Sequence, residues 1–234
     1  RQVIPPLHET RESAMMLKQL AERLGIEKYF PYNTMEELVA WQLEGTGFTM
    51  ADFEAKGFVA YAKDAIFWDR KDGIKFKTPS GKIELRSALL EDAGFPSFPP
   101  YVPVPKAEQD RFRLVVGRVA FHTHISTQNN PYLNELYPEN NLWIHSSRAK
   151  ALGIADGQMV EVTSSRGSGT LKSYVSDMIH PEAVFMVHGF GHEAREAQRC
   201  FAKGVSDSVL QESITDMVGG SPALHDTFVT VKAA

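Results

Sequence analysis

Residues 113–136 read RLVVGRVAFHTHISTQNNPYLNEL. Leu114, Val115 and Val116 form a short apolar run that breaks at Gly117 and Arg118. The loop that follows carries His122, His124, Ser126, Thr127, Gln128, Asn129 and Asn130, after which Pro131 can open a helix. A guanidinium, imidazoles, hydroxyls and amides gathered at the end of a strand suit a large polar ligand with phosphates and a heterocycle. A polar loop with one satisfied core histidine is the competing reading. A second constellation is VHGFGH at residues 187–192, where an apolar strand runs into Gly189 and Gly191 spaced by Phe190 and flanked by His188 and His192. Glycines there let the backbone turn sharply and let a ligand approach its N–H groups, although a tight turn before a helix has the same composition.

All the histidines except His8 lie in the second half of the chain, which raises a zinc site as a possibility. His122 and His124 alternate in a strand-like segment and would face opposite sides. His188 and His192 have HxxxH spacing, but the intervening glycines argue against the helix that would align their rings, and there is no HExxH. No dedicated protein metal site is expected. Cys200 is the single cysteine, which excludes an internal disulfide, a four-cysteine cluster and a CxxC motif, and it reads as a buried free thiol in a helix-like segment. Residues 204–210, GVSDSVL, offer Ser206 and Asp207 as further candidates, with a solvated loop as the alternative. The TSSRGSG stretch at 163–169 lacks the order of a phosphate-binding P-loop and reads as a hairpin connection.

These groups need a scaffold, and the pattern supplies a mixed α and β one. Helices are expected at 9–24, at 34–43 with Thr34 and Glu37 as a capping box, and at 49–57. A hairpin is expected around Lys71-Asp72-Gly73, a turn at 78–81, and a short strand then a helix within 82–92. The FPSFPPYVPVP stretch must run extended, which divides the chain into a mainly helical segment (1–94), a proline-rich connector (95–110) and a second domain (111–234). That domain alternates short apolar runs at 114–116, 142–144, 159–162, 169–175, 183–187 and 227–231 with turn residues, and has a helix at 146–152. Six such strands indicate a barrel-like β core.

With 234 residues, 43% apolar and 23% charged, the chain has the composition of a soluble globular protein, and no apolar run is long enough to span a bilayer. A net charge of -4 without clustered Lys and Arg argues against a nucleic-acid partner. The first residues, RQVIPP, lack an initiator Met, so the chain is expected to continue upstream.

The motifs taken in order, GR, HTH, ST, NPYLNEL, then NLWIHSSRAKALGIADGQMVEVTSSRG, HPEAVFMVHGFGH and VGGSPALHDTFVTVKAA, resemble the C-terminal domain of the dimethyl sulfoxide reductase family of molybdopterin oxidoreductases. They are most similar to its polysulfide and thiosulfate reductase group, and TPSGKIEL at 78–85 resembles a family segment more weakly. The resemblance implies a six-stranded double-psi barrel that binds bis-molybdopterin guanine dinucleotide with molybdenum. His122, His124, Ser126, Thr127 and Asn129 would meet the pterin and pyrophosphate, and Arg118 a phosphate or pterin oxygen. His188, Gly189, Phe190, Gly191 and His192 would join them, with Ser206 and Asp207. Asp207 and Ser208 stand where the family often has Asn, and Met217 where a proline usually follows the Asp. The molybdenum ligand and any iron-sulfur cysteines would lie upstream, the isolated fragment would be inert, and an iron-sulfur subunit, a membrane anchor and a periplasmic location would be implied. A β-barrel that binds a peptide or partner through loops at Phe121 and Phe190 is the competing class. A His-dependent hydrolase lacks a nucleophile motif.

Overall fold

The computed structural model describes residues 3–60, 73–74, 76–98 and 100–234. Two compact units are present, Arg1–Phe98 and Pro99–Ala234. In the first unit the helices follow the sequence pattern: α1 (Ser13–Leu24), α2 (Met35–Leu43), α3 (Met50–Lys56) and α4 (Ala88–Asp92). The Thr34 hydroxyl accepts from Glu37 N at 3.1 Å to start α2, while the Glu37 carboxylate reaches Asn33 N and not Thr34 N. Thr49 and Asp52 complete a reciprocal box at α3. The hairpin expected around Lys71-Asp72-Gly73 lies outside the described residues. The short strand expected after residue 82 does not form: Ile83 and Leu85 are exposed, and neither pairs with a strand among the described residues. Alternation alone does not make a strand without an edge to bond. No helix among the described residues is long and apolar enough to cross a membrane.

The second unit is a closed barrel of β1 (Phe112–Gly117), β2 (Leu142–Ile144), β3 (Met159–Thr163), β4 (Ser168–Val175), β5 (Ala183–Val187) and β6 (Phe228–Ala233), in the order β1-β5-β2-β4-β3-β6. Helices α5 (Pro131–Leu136) and α6 (Ser146–Leu152) are inserted between strands. Two pairs, β1 with β5 and β2 with β4, are parallel and the others antiparallel, the arrangement expected of a double-psi barrel. Alternate residues point inward, so Leu114, Leu142, Ile144, Val160, Val162, Val184, Met186 and Val229 form a fully enclosed core. Each such side chain contributes about 1.5–3 kcal/mol by leaving water.

Candidate functional site

The parallel pairing of β1 and β5 decides where the site lies. Gly117 is in register with Val187, so both strands release their loops at the same end of the barrel. His188 N donates to Gly117 O at 2.9 Å, and Arg118 and His188 therefore leave the rim as neighbours. Arg118 is exposed and has no ion-pair partner among the described residues.

In the first loop the polar residues divide by task. His122 is 6% exposed, with Nε2 2.7 Å from the Tyr137 carbonyl and Nδ1 3.2 Å from Thr127 Oγ1. A carbonyl only accepts, so Nε2 carries the proton and the Thr127 hydroxyl donates to Nδ1. Thr127 Oγ1 also accepts from Thr123 N at 2.9 Å. Both nitrogens of His122 are thus spent inside the protein, and its ring meets Phe190 edge-on at 5.4 Å. Gln128 is fully buried and donates through Nε2 to the His124 carbonyl. His124 itself sits at φ 45°, a left-handed conformation uncommon for a residue with a Cβ, with its side chain exposed. Ser126 is exposed beside it.

The second loop packs against the first. Gly189 has φ 92°, and a Cβ there would lie 2.6 Å from the His124 carbonyl oxygen. Gly191 has φ 78°, and a Cβ there would strike Ser206 N. The rings of His124 and His188 meet edge-on at 5.3 Å. Phe190 is only 3% exposed, packed on His122 and Tyr137, so it cannot belong to an exposed docking patch of the kind the partner-binding alternative requires.

The segment at 204–210 is not a solvated loop. Asp207 opens a 3-10 turn (Asp207–Val209) and is 2% exposed, with its two carboxylate oxygens 3.0 and 3.1 Å from His188 Nδ1. Gln211 Nε2 donates to the same carboxylate at 2.6 Å. These donors replace the water that burial removes. Asn129 is a staple: its side-chain oxygen accepts from Arg199 N at 2.9 Å and lies 4.0 Å from Cys200 Sγ, joining the first loop to the segment after His192. That segment is a series of turns and not a helix, and burial pushes the Cys200 thiol above its ordinary value.

His192 Nε2 is buried without a hydrogen-bond partner among the described residues. It lines a cleft of about 580 Å³ together with Gly191, Arg195, Phe201 and Ser206. An orphaned ring nitrogen costs about 1–3 kcal/mol, which a bound polar ligand would recover. Arg118, His124 and Ser126 beside the contact of the two loops, and Arg195, His192 and Ser206 at the cleft, offer donors that suit an anionic ligand carrying a planar heterocycle, while His188 Nε2, with the ring proton on Nδ1, offers an acceptor.

Several supports have no motif signal. Asn140, 1% exposed, donates to Val187 O at 2.8 Å and Val205 O at 2.9 Å and accepts from Val205 N at 2.9 Å, pinning the strand before His188 to the segment before Asp207. Tyr137 supplies the carbonyl for His122 and stacks on Phe121, and burial pushes its phenol above the usual value. Gln211 completes the set.

Comparison with known proteins gives this rim a family. The family described as "Molydopterin dinucleotide binding domain" matches residues 112–228, half of the chain. The thiosulfate reductase molybdopterin-containing subunit PhsA of Salmonella typhimurium is 29% identical over 262 residues, covering 100% of this chain and 34% of that protein. Dimethyl sulfoxide reductase DmsA of Escherichia coli is 24% identical, covering 99% of this chain and 32% of that protein. The solved structure of acetylene hydratase from Pelobacter acetylenicus superposes with a TM-score of 0.74 at 21% identity, over 100% of this chain and 34% of that one, a likeness of fold. The chain thus spans about a third of the length of these relatives. With a barrel of this topology, a rim of this chemistry and a match that runs from the start of β1 to the start of β6, the chain belongs to the molybdopterin dinucleotide-binding domain family.

Proposed function

We propose that the chain is the cofactor-binding C-terminal part of the catalytic subunit of a molybdenum oxidoreductase that reduces a sulfur compound or related oxyanion, of the thiosulfate or polysulfide class. The observation that carries this reading is the contact of the two polar loops, with Gly189 against the His124 carbonyl and the His124 and His188 rings 5.3 Å apart. The proposed ligand is bis-molybdopterin guanine dinucleotide. Arg118, His124 and Ser126 meet its pterin and phosphate oxygens, the open nitrogen of His188 accepts from a pterin N–H, and His192, Gly191 and Ser206 hold an adjoining part. His122, Thr127, Asn129, Phe190 and Asp207 shape the rim from behind, and Gly189 lets the two loops close. When bound, the molybdenum centre supplies the redox chemistry, and these residues bind and orient.

Relatives named for thiosulfate, dimethyl sulfoxide and nitrate reduction support the reaction class. The upstream domains of the same polypeptide complete the active site, so the 234-residue piece alone is inert. An iron-sulfur cluster upstream, an electron-transfer iron-sulfur subunit, a membrane anchor and a periplasmic location complete the proposal.

The full-length protein is expected to yield molybdenum and guanine-bearing pterin on metal analysis and mass spectrometry of extracts. Arg118→Ala and His124→Ala should lower that content while leaving the folded protein soluble. Full-length protein without either component would remove the proposal.

A further inference from the structure

Two histidines of the rim are held in contrasting ways. His122 is enclosed, with both ring nitrogens bonded inside the protein. The His188 side chain is 33% exposed and, among the described residues, has only Nδ1 bonded, to a carboxylate that is itself almost fully enclosed. A histidine needed only for packing would have been closed off like His122. Asp207 is also more than a neutral acceptor requires, since a buried carboxylate must be satisfied by donors on every side, here His188 and Gln211.

We propose that Asp207 is a positioning residue that, with Gln211, fixes the proton of His188 on Nδ1 and thereby presents Nε2 to the bound pterin dinucleotide. An ionised carboxylate accepts and cannot donate, so it selects one tautomer and one orientation of the ring. Asp207 thus acts on the ligand only through His188. The His124 ring also packs edge-to-face with it at 5.3 Å, which restrains the imidazole. This inference rests on the reading of the rim as the cofactor wall.

The test uses the full-length protein and measures molybdenum and extracted pterin per polypeptide. Asp207→Leu and His188→Gln are each expected to lower occupancy by about 10-fold, the scale on which residues that orient a ligand-holding histidine act. The double variant should match His188→Gln alone. An Asp207→Leu effect of full size in the His188→Gln background marks a structural role and overturns the proposal. So does unchanged occupancy in Asp207→Leu while His188→Gln loses cofactor, an outcome that leaves the cofactor wall intact. Full occupancy in His188→Gln overturns it together with the assignment of His188 to that wall. Should the leucine variant fail to fold, Asp207→Asn keeps the shape, and ¹⁵N spectra of labelled histidine report the tautomer. A mixture of tautomers at His188 supports the proposal, whereas an unchanged Nδ1–H form with unchanged occupancy overturns it.

Discussion

Gly189 sits where the two loops touch, and no other residue fits there without strain. Its φ of 92° and the His124 carbonyl 2.6 Å from a would-be Cβ mean that Gly189→Ala meets both a backbone and a contact penalty. A loss of about 1–3 kcal/mol is expected in urea unfolding of the full-length protein, with falling cofactor content; an unchanged midpoint would show that the loops need not touch. Residue identity alone could not sort the rim into groups that face a ligand and groups that hold the wall. His122 and His124 differ by two positions and look equivalent as letters, yet Tyr137 O and Thr127 consume one while the other stays open. That division depends on a carbonyl from the end of α5, a long-range partner that spacing does not reveal.

At the scale of elements, local chemistry was readable. The barrel strands and α6 fall where the apolar runs lie because turn residues and capping residues bound each of them. Two expectations failed for physical reasons. Residues 83–85 alternate correctly but have no described partner edge, and the segment around Cys200, read as helix-like, is a series of turns. The solvated-loop alternative for residues 204–210 falls because Asp207 is paired with His188, a partner that nothing near it in sequence announces. Asn140 is the hidden brace between these segments. Asn140→Ala strips partners from Val187 O and from both backbone groups of Val205, at about 1–3 kcal/mol for each buried group left unpaired. Its denaturation midpoint should fall well below that of an exposed control such as Gln198→Ala. The loop after β5 and before β6 carries a pH-sensitive clasp: Asp216 accepts from the amides of Val218, Gly219 and Ser221, which hold its carboxyl below the ordinary value. A lowered folded-state pKa means that the stabilisation is fully present above the ordinary carboxylate range and is lost as pH falls through the folded value. Hydrogen-exchange protection at those amides, corrected for intrinsic rates, should therefore drop only in acid, and Asp216→Asn should remove most of this acid dependence. Equal protection across the acid range in the wild type would exclude the clasp.

At the scale of the molecule, ligand and fold should be linked. A group that binds the native rim and not the unfolded chain adds stability in proportion to the logarithm of its concentration over its dissociation constant. Full-length protein purified from molybdate-starved cells should melt at a lower temperature than the loaded form, and the gap should shrink in Arg118→Ala. Identical melting of both forms would separate binding from folding.

The crossing of β5 between β1 and β2 has a consequence for biogenesis. Arg118 is synthesised early and His188 late, with β2, β3 and β4 emerging between them. A nascent chain therefore offers at most half of the wall, because the other half exists only once the late strand has slotted home, and closing so long a loop is slow. On the proposed assignment of both loops to the cofactor, its insertion is expected to follow topological completion, and a molecule that reopens this seam is expected to release it in the same event.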